Sequence, residues 1–166
     1  MKKIANPIFL FILLIFINGC AGYQPIFSST NLQFEIADYS IEGNKILGNK
    51  IYSKLYSLSK SKKDDQNLRN VDLTIKVSKD KNATVKDNAG KIKEYKITLN
   101  IIIEVKDYLT SQVILDETFI SSLSYKVHDN YSDTIEAENR SIENLLNKTY
   151  QELVIKLAQN IITKWY

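Results

Sequence analysis

The sequence predicts an α+β domain, a two-layer sandwich with a sheet of about four strands and two helices packed on one face. Four stretches alternate apolar with polar residues, which is the period of a half-buried strand. Two others repeat apolar residues every three or four positions, as amphipathic helices do. The order along the chain is β-α-β-β-β-α. Two layers, with both helices covering one face of a single sheet, would bury every apolar stripe.

The first nineteen residues have the pattern of a bacterial lipoprotein signal peptide. Lys2 and Lys3 precede an uninterrupted apolar run over residues 8–17, and Cys20, the single cysteine of the chain, comes shortly after it. The run is shorter than the about 20 apolar residues that a transmembrane helix needs, so we expect a cleaved signal peptide. Cys20 is then the predicted site of lipid attachment, a palmitate-bearing diacylglycerol. An ordinary secretory signal and an uncleaved anchor are the alternatives.

This pattern divides the chain into a lipoprotein signal peptide (1–19), a lipidated tether (20–31) and a single folded domain (32–166). Ala21, which follows the lipid-bearing cysteine, is not acidic. A residue without negative charge at this position favours onward delivery from the inner to the outer membrane. We therefore expect a protein held by its lipid at the periplasmic side of the cell outer membrane, anchored to the bilayer without spanning it.

Charge and cysteine content exclude several classes of protein. Signal cleavage would remove two lysines and leave 20 basic against 19 acidic residues, so the overall charge of about +1 gives no reason to expect a nucleic-acid partner. A single cysteine that carries lipid leaves none for a disulfide or for a thiolate metal site.

The folded domain is predicted to begin with a strand and a helix. Residues 32–40 alternate apolar and polar side chains and are predicted as the first strand. Gly43 and Asn44 then supply a turn and an N-cap. Apolar residues at helical spacing from Leu47 to Leu58 predict the first amphipathic helix.

Three strands joined by short turns are predicted next. The alternation is strict over residues 71–77, longest over 95–105, and recurs over 114–127. Turn-forming residues at 87–90 and 109–111 separate these strands. The pattern predicts an antiparallel meander, each strand having one buried and one solvent-exposed face.

A long amphipathic helix is predicted for the rest of the chain. We place its start at Asp133, with Glu136 completing a capping box. Its apolar stripe consists of Ile142, Leu146, Tyr150, Leu153, Leu157, Ile161 and Trp165. Acidic and basic residues alternate on the opposite face, so we expect this helix to cover the sheet and not to lie on a membrane surface.

The sequence contains no constellation of residues that predicts catalysis, a metal site or a cofactor. His128 is the only histidine and sits at the polar end of the last strand, so a histidine cluster is excluded. The five glycines are scattered and form no phosphate-binding loop. Adjacent acids such as Asp116 and Glu117 would point to opposite faces of a strand. We therefore expect a protein that is not an enzyme and needs no cofactor.

Lysines are concentrated in the predicted hairpin between the second and third strands. From Lys76 to Lys96 there are seven lysines and three acidic residues, a local charge of +4. Ammonium groups bind phosphate as point charges, so this hairpin is a candidate site for an anionic lipid head group. The candidate residues are Lys79, Lys81, Lys86, Lys91 and Lys93. The alternative is a solvated hairpin whose lysines discourage edge pairing.

With these features taken together, the chain resembles the LptE family of lipopolysaccharide-assembly lipoproteins. The cysteine is followed at once by Gly22-Tyr23-Gln24-Pro25, similar to the family's cysteine, glycine, aromatic opening. Residues 46–51 resemble the start of the family's first helix, and Glu94-Tyr95 follows the hairpin as a Glu-Tyr pair does in the family. Tyr125 and the segment 136–144 fit the beginning of its last helix. The similarity extends over the mature chain at low identity.

The resemblance implies a role in lipopolysaccharide transport. Family members sit inside the β-barrel of LptD, help that barrel to assemble, and contact lipopolysaccharide while it is inserted in the outer leaflet. In the family, basic residues after the second strand are associated with lipopolysaccharide binding, and Lys86 is the nearest match here. The resemblance thus implies an LptD-type barrel and lipopolysaccharide as partners, and the membrane through Cys20.

Two other classes of function stay open from the sequence. The first is another outer-membrane adaptor lipoprotein, such as a transport-auxiliary or synthase-activating module, which would share the anchor and the small domain. The second is an envelope enzyme, which would require His128 or an acidic pair to lie in a cleft.

Overall fold

A computed structural model describes residues 34–60 and 68–163, with side-chain surroundings for 34–59 and 68–160. The signal peptide, the tether with Cys20, and the side chains of Ile161 and Trp165 lie outside the described residues. The predicted division into signal, tether and domain therefore stays a prediction.

The described residues form four strands and two helices in the predicted order. The elements are β1 (Phe34–Gly43), α1 (Lys45–Lys60), β2 (Arg69–Lys86), β3 (Ile92–Asp107), β4 (Val113–Lys126) and α2 (Tyr131–Thr163). The strands make one sheet in the order β1-β2-β3-β4. The predicted α+β fold is confirmed.

The sheet is mixed, with one parallel and two antiparallel pairings. β1 runs parallel to β2, from Phe34 beside Arg69 to Gly43 beside Val77, and α1 makes the crossover between them. β2, β3 and β4 form the predicted antiparallel meander. β1 stops pairing at Val77, whereas β3 accompanies β2 as far as Lys86. The outer half of the β2–β3 hairpin therefore projects beyond β1.

The core lies between the two helices and one face of the sheet. Both predicted helical stripes are represented by fully buried residues, Ile51 in α1 and Leu146 and Leu153 in α2. The sheet contributes alternate residues from its strands. These are Val71, Leu73, Ile75, Val77, Ile97, Leu99, Ile101, Ile103, Val105, Leu115 and Phe119. The opposite face of the sheet, called the helix-free face below, carries no helix among the described elements and is largely polar.

The junction between β1 and α1 confirms the predicted turn and cap. Asn44 Oδ1 accepts a hydrogen bond of 3.2 Å from the Leu47 N–H, and the Asn44 carbonyl accepts one of 3.0 Å from Gly48. Gly43 adopts a φ of 75°, in the left-handed region that favours glycine. The chain can therefore leave the sheet and enter the helix within two residues.

The predicted start of α2 is wrong by two residues, and its capping box is absent. The helix begins at Tyr131, because Asn130 Oδ1 accepts a hydrogen bond of 3.1 Å from the Ser132 N–H. Asparagine is as good an N-cap as aspartate, and here it lies earlier in the chain. The Glu136 carboxylate pairs instead with Arg140, one turn further along, at 3.3 Å.

Several strands are longer than their apolar alternation predicts. β2 extends nine residues past Val77, its last buried residue, because its backbone pairing with β3 continues there. β1 likewise continues to Gly43, held by its pairing with β2. Backbone hydrogen bonds, and not burial, set these strand ends.

The turn between β3 and β4 is organised by Asp107, a residue that the sequence did not single out. Its Oδ1 accepts hydrogen bonds from the N–H groups of Leu109 and Thr110, at 3.1 and 2.8 Å, and its Oδ2 accepts one from Arg69. The Thr110 N–H, with Arg69, lowers the pKa of the Asp107 carboxyl to about 2. The turn therefore keeps its acceptor ionised far into the acid range.

Candidate functional site

The tip of the projecting hairpin is a tight turn held by Asp87. The Asp87 N–H donates to the Lys91 carbonyl at 2.9 Å, and Asp87 Oδ1 accepts from the Ala89 and Lys91 N–H groups at 3.0 and 2.9 Å. These backbone donors, that of Lys91 foremost, hold the pKa of the Asp87 carboxyl below its usual value. Gly90 supplies the left-handed residue at φ 80°. The tip is thus a defined structure and not an open loop.

The base of the hairpin is tied to α2 through Lys81. The Lys81 Nζ lies 2.5 Å from Glu138 Oε2 and 4.4 Å from the centre of the Tyr95 ring. The Tyr125 hydroxyl donates to the same Glu138 oxygen at 2.9 Å. The Tyr95 and Tyr125 rings stack with their centres 5.9 Å apart. One ammonium therefore lies between a carboxylate and an aromatic pair.

Burial and the neighbouring partners shift the pKa values of Lys81 and Glu138 in opposite directions. Burial alone would lower the pKa of Lys81, but its hydrogen bonds with Glu138 and Tyr125 and the charge of Glu138 outweigh it and raise that pKa to about 12. Burial would raise the pKa of Glu138, yet the hydrogen bonds from Lys81 and Tyr125 leave it lowered. Both groups therefore stay charged across the neutral range.

The five predicted lysines do not share one environment. Lys79 joins Lys81 on Glu138, with its Nζ 3.6 Å from Glu138 Oε1. Lys93 pairs with the carboxylate of Asp87 at 3.5 Å. Lys86 and Lys91 are exposed, and in the described part of the chain no carboxylate lies within ion-pair distance of either one. Three of the five lysines therefore form ion pairs that hold the hairpin, and the other two, near its tip, face solvent.

Strand register adds a basic residue that the sequence reasoning missed. Lys126, at the end of β4, lies directly opposite Glu94, two residues from Lys96 along β3. Directly opposed residues share a face, so Lys96 and Lys126 lie together on the helix-free face. Residues 94 and 96 lie on one face of β3, and residues 124 and 126 lie on one face of β4. That these are the same face of the sheet follows only from the pairing of β3 with β4, which the sequence alone does not give.

Side chains that could hold a metal ion do not cluster in the described part of the chain. Within residues 34–60 and 68–163, no three His, Cys, Asp or Glu side chains are placed to hold a metal ion. His128 is exposed between β4 and α2, where its backbone N–H donates to the Thr134 hydroxyl at 2.9 Å. Of the adjacent acids, Glu117 pairs with Lys156 at 3.1 Å. No described helix is long and apolar enough to cross a membrane.

Comparison with known proteins finds similarity of fold but not of sequence. No protein-family model matches the chain, and no curated protein matches it either. A protein of Caulobacter crescentus CB15, named as a candidate lipoprotein, has a similar structure, with a TM-score of 0.55 and 10% identity over 77% of this chain and 91% of that one.

Two further solved structures have a similar fold. Lipoprotein B of Nitrosomonas europaea gives a TM-score of 0.54 at 11% identity, over 74% of this chain and 81% of its own. A minor lipoprotein of Acinetobacter baumannii gives 0.51 at 14% identity, over 76% of this chain and 94% of its own. The chain therefore has a fold that also occurs in bacterial proteins named as lipoproteins.

Proposed function

We propose that this protein is an outer-membrane lipoprotein that helps to assemble and plug an LptD-type β-barrel and contacts lipopolysaccharide during its insertion in the outer leaflet. The signal pattern and Cys20 support the lipid anchor. The fold shared with named lipoproteins supports the general class. The resemblance of the mature chain to the LptE family supports the barrel and the glycolipid as partners.

The observation that carries the glycolipid contact is the projecting hairpin, which has near its tip two lysines without an ion-pair partner among residues 34–60 and 68–163. Lys86 and Lys91 flank the Asp87 turn, while Lys79 and Lys81 are held by Glu138. A charged tip can be directed at a ligand only if the base of the hairpin is held in place. The ion pairs of Lys79 and Lys81 with Glu138 of α2 hold that base. The free ammonium groups suit the phosphates of a glycolipid as point charges.

The helix-free face of the sheet supports the plug role. Its side chains on β2, β3 and β4 include Thr74, Ser78, Thr98, Ser122 and Ser124, and none of these is buried. The lumen of an outer-membrane barrel is polar, so a domain that enters it needs a polar surface. This face meets that need without a further covering element.

Reversing the charge of the two tip lysines tests the glycolipid contact. We expect Lys86→Glu with Lys91→Glu to weaken binding of purified lipopolysaccharide by about tenfold to a hundredfold, because each loses an ammonium–phosphate contact of about 1 kcal/mol or more and gains repulsion. Binding should also become less sensitive to salt. The measurement is the affinity for lipopolysaccharide at two ionic strengths.

The matched control is Lys45→Glu with Lys148→Glu, which changes the net charge equally on the two helices. It should leave binding within about twofold, since exposed charges away from the site contribute little. An equal loss in both double variants would mean that overall charge, and not the hairpin, governs binding. Unchanged affinity in the tip variant would remove Lys86 and Lys91 from the site.

A further inference from the structure

The two outer edges of the sheet differ in how they are protected against pairing with another strand. β1 has a register shift between Ile36 and Asp38 and carries acids at Glu35, Asp38 and Glu42. The part of β2 that projects beyond β1 has two further register shifts and several lysines. Bulges and charges are the usual means by which proteins block an open edge. This side of the sheet is therefore protected along its length.

The β4 edge has no such protection over most of its length. From Thr118 to Tyr125 it carries eight residues without charge, proline or glycine, and its register with β3 is regular there. Ile120 is 70% exposed on the helix-free face and Leu123 is 37% exposed on the other. A long, regular and uncharged edge strand is a template for the addition of another strand.

Two charged residues of opposite sign, Asp116 and Lys126, bound this segment. Asp116 lies opposite Glu104 on β3, a like charge that is itself paired with Lys106 at 2.8 Å. Lys126 lies opposite Glu94, whose carboxylate accepts the Thr84 hydroxyl at 2.8 Å.

Neither Asp116 nor Lys126 forms an ion pair with any residue in the described ranges 34–60 and 68–163. Both stand five positions from Ser121, one on each side. A strand that carried the same two charges in reverse order would complement both.

We propose that β4 pairs antiparallel with β4 of a second copy of this chain, about a two-fold axis at Ser121. This register places Asp116 opposite the second copy's Lys126, twice in each dimer, and Ile120 opposite the second copy's Ser122. The neighbouring symmetric registers do not bring these two charges together. With the axis at Ile120, Asp116 would face a serine, and with the axis at Ser122, Lys126 would face a threonine. Charge complementarity therefore selects both the partner and the register.

The pairing makes one continuous eight-stranded sheet with all four helices on the same face, because a two-fold axis perpendicular to a sheet keeps each face on its own side. It closes the one unprotected edge of the described sheet. The proposal goes beyond the proposed function and does not depend on it, since it rests on β4 alone and concerns the chain when it is not inside a barrel.

A charge swap tests the proposal. Sedimentation equilibrium of the full chain, purified in density-matched detergent, should show a monomer–dimer equilibrium. Asp116→Lys should weaken the dimer by about tenfold, because two attractive cross-strand pairs become repulsive. Adding Lys126→Asp in the same chain restores opposite charges across the axis and should return the dimerisation constant to within about twofold of the original.

Glu35→Lys, on the protected β1 edge, is the matched control and should leave the dimer unchanged. Thermal unfolding of Asp116→Lys should be undiminished, since the new lysine faces Glu104 within its own chain. A wild-type chain that stays monomeric at its highest soluble concentration overturns the proposal. A dimer that Asp116→Lys does not weaken, or that the double swap does not restore, overturns it as well.

Discussion

Replacing Gly43 with alanine is expected to lower the free energy of unfolding by about 2–4 kcal/mol, about half of it from the backbone conformation and about half from one backbone contact. Gly43 has a φ of 75°, which costs an L-residue about 1–2 kcal/mol. A Cβ at this position would lie 2.2 Å from the Val77 carbonyl oxygen. That same oxygen accepts the Asn44 N–H at 2.8 Å. Relieving the clash therefore also disturbs the hydrogen bond that joins the cap of α1 to β2.

The chain supplies a matched control for this substitution. Gly90 has a φ of 80°, but a Cβ there meets no atom within 4 Å. Gly90→Ala should therefore cost only the conformational term, about 1–2 kcal/mol. Chemical denaturation of both variants gives the comparison directly. If Gly90→Ala destabilises the domain as much as Gly43→Ala, the contact with Val77 is not the cause.

Replacing Cys20 with serine is expected to abolish lipid attachment completely. The thiol is the proposed acceptor of two acyl chains, and no second cysteine can substitute for it. Two chains are enough for stable membrane attachment, whereas a protein without them is released. Metabolic labelling with palmitate, followed by separation of membrane and soluble fractions, measures both effects.

Ala21→Asp is the control for the Cys20 experiment. It leaves the cysteine in place and should keep the full palmitate label, while shifting the protein toward the inner-membrane fraction. Palmitate label that persists in Cys20→Ser would place the acyl chains on another residue. A Cys20→Ser protein that still fractionates with membranes after a high-salt wash would mean that the uncleaved hydrophobic segment is the anchor.

The sequence could predict all six elements because each has one apolar face with a regular period. The Leu47 to Leu58 spacing and the 71–77 alternation both correspond to buried stripes. The length of β2 could not be predicted in this way. Lys79 and Lys81 continue the core face of β2 and pair there with Glu138 of α2, so no apolar signal marks the strand at these positions. Pairing with β3 decides where the strand ends.

The candidate site was found only in part from composition. The local excess of lysine identified the hairpin but gave no means of telling engaged lysines from free ones. The charge of Lys81 is balanced by the carboxylate of Glu138, which lies 57 residues further along the chain. Contacts over that separation depend on how α2 crosses the sheet, and neither periodicity nor charge counting contains that information.

The central claim, that this chain is the lipid-anchored partner of an LptD-type barrel, is tested most directly by co-purification. The tagged, full-length protein would be isolated from detergent-solubilised outer membranes and the bound proteins identified by mass spectrometry, with an unrelated outer-membrane lipoprotein of equal abundance as the control. We predict recovery of an LptD-type barrel protein in about equimolar amount with the tagged chain and not with the control. Recovery of the chain without that barrel would contradict the claim.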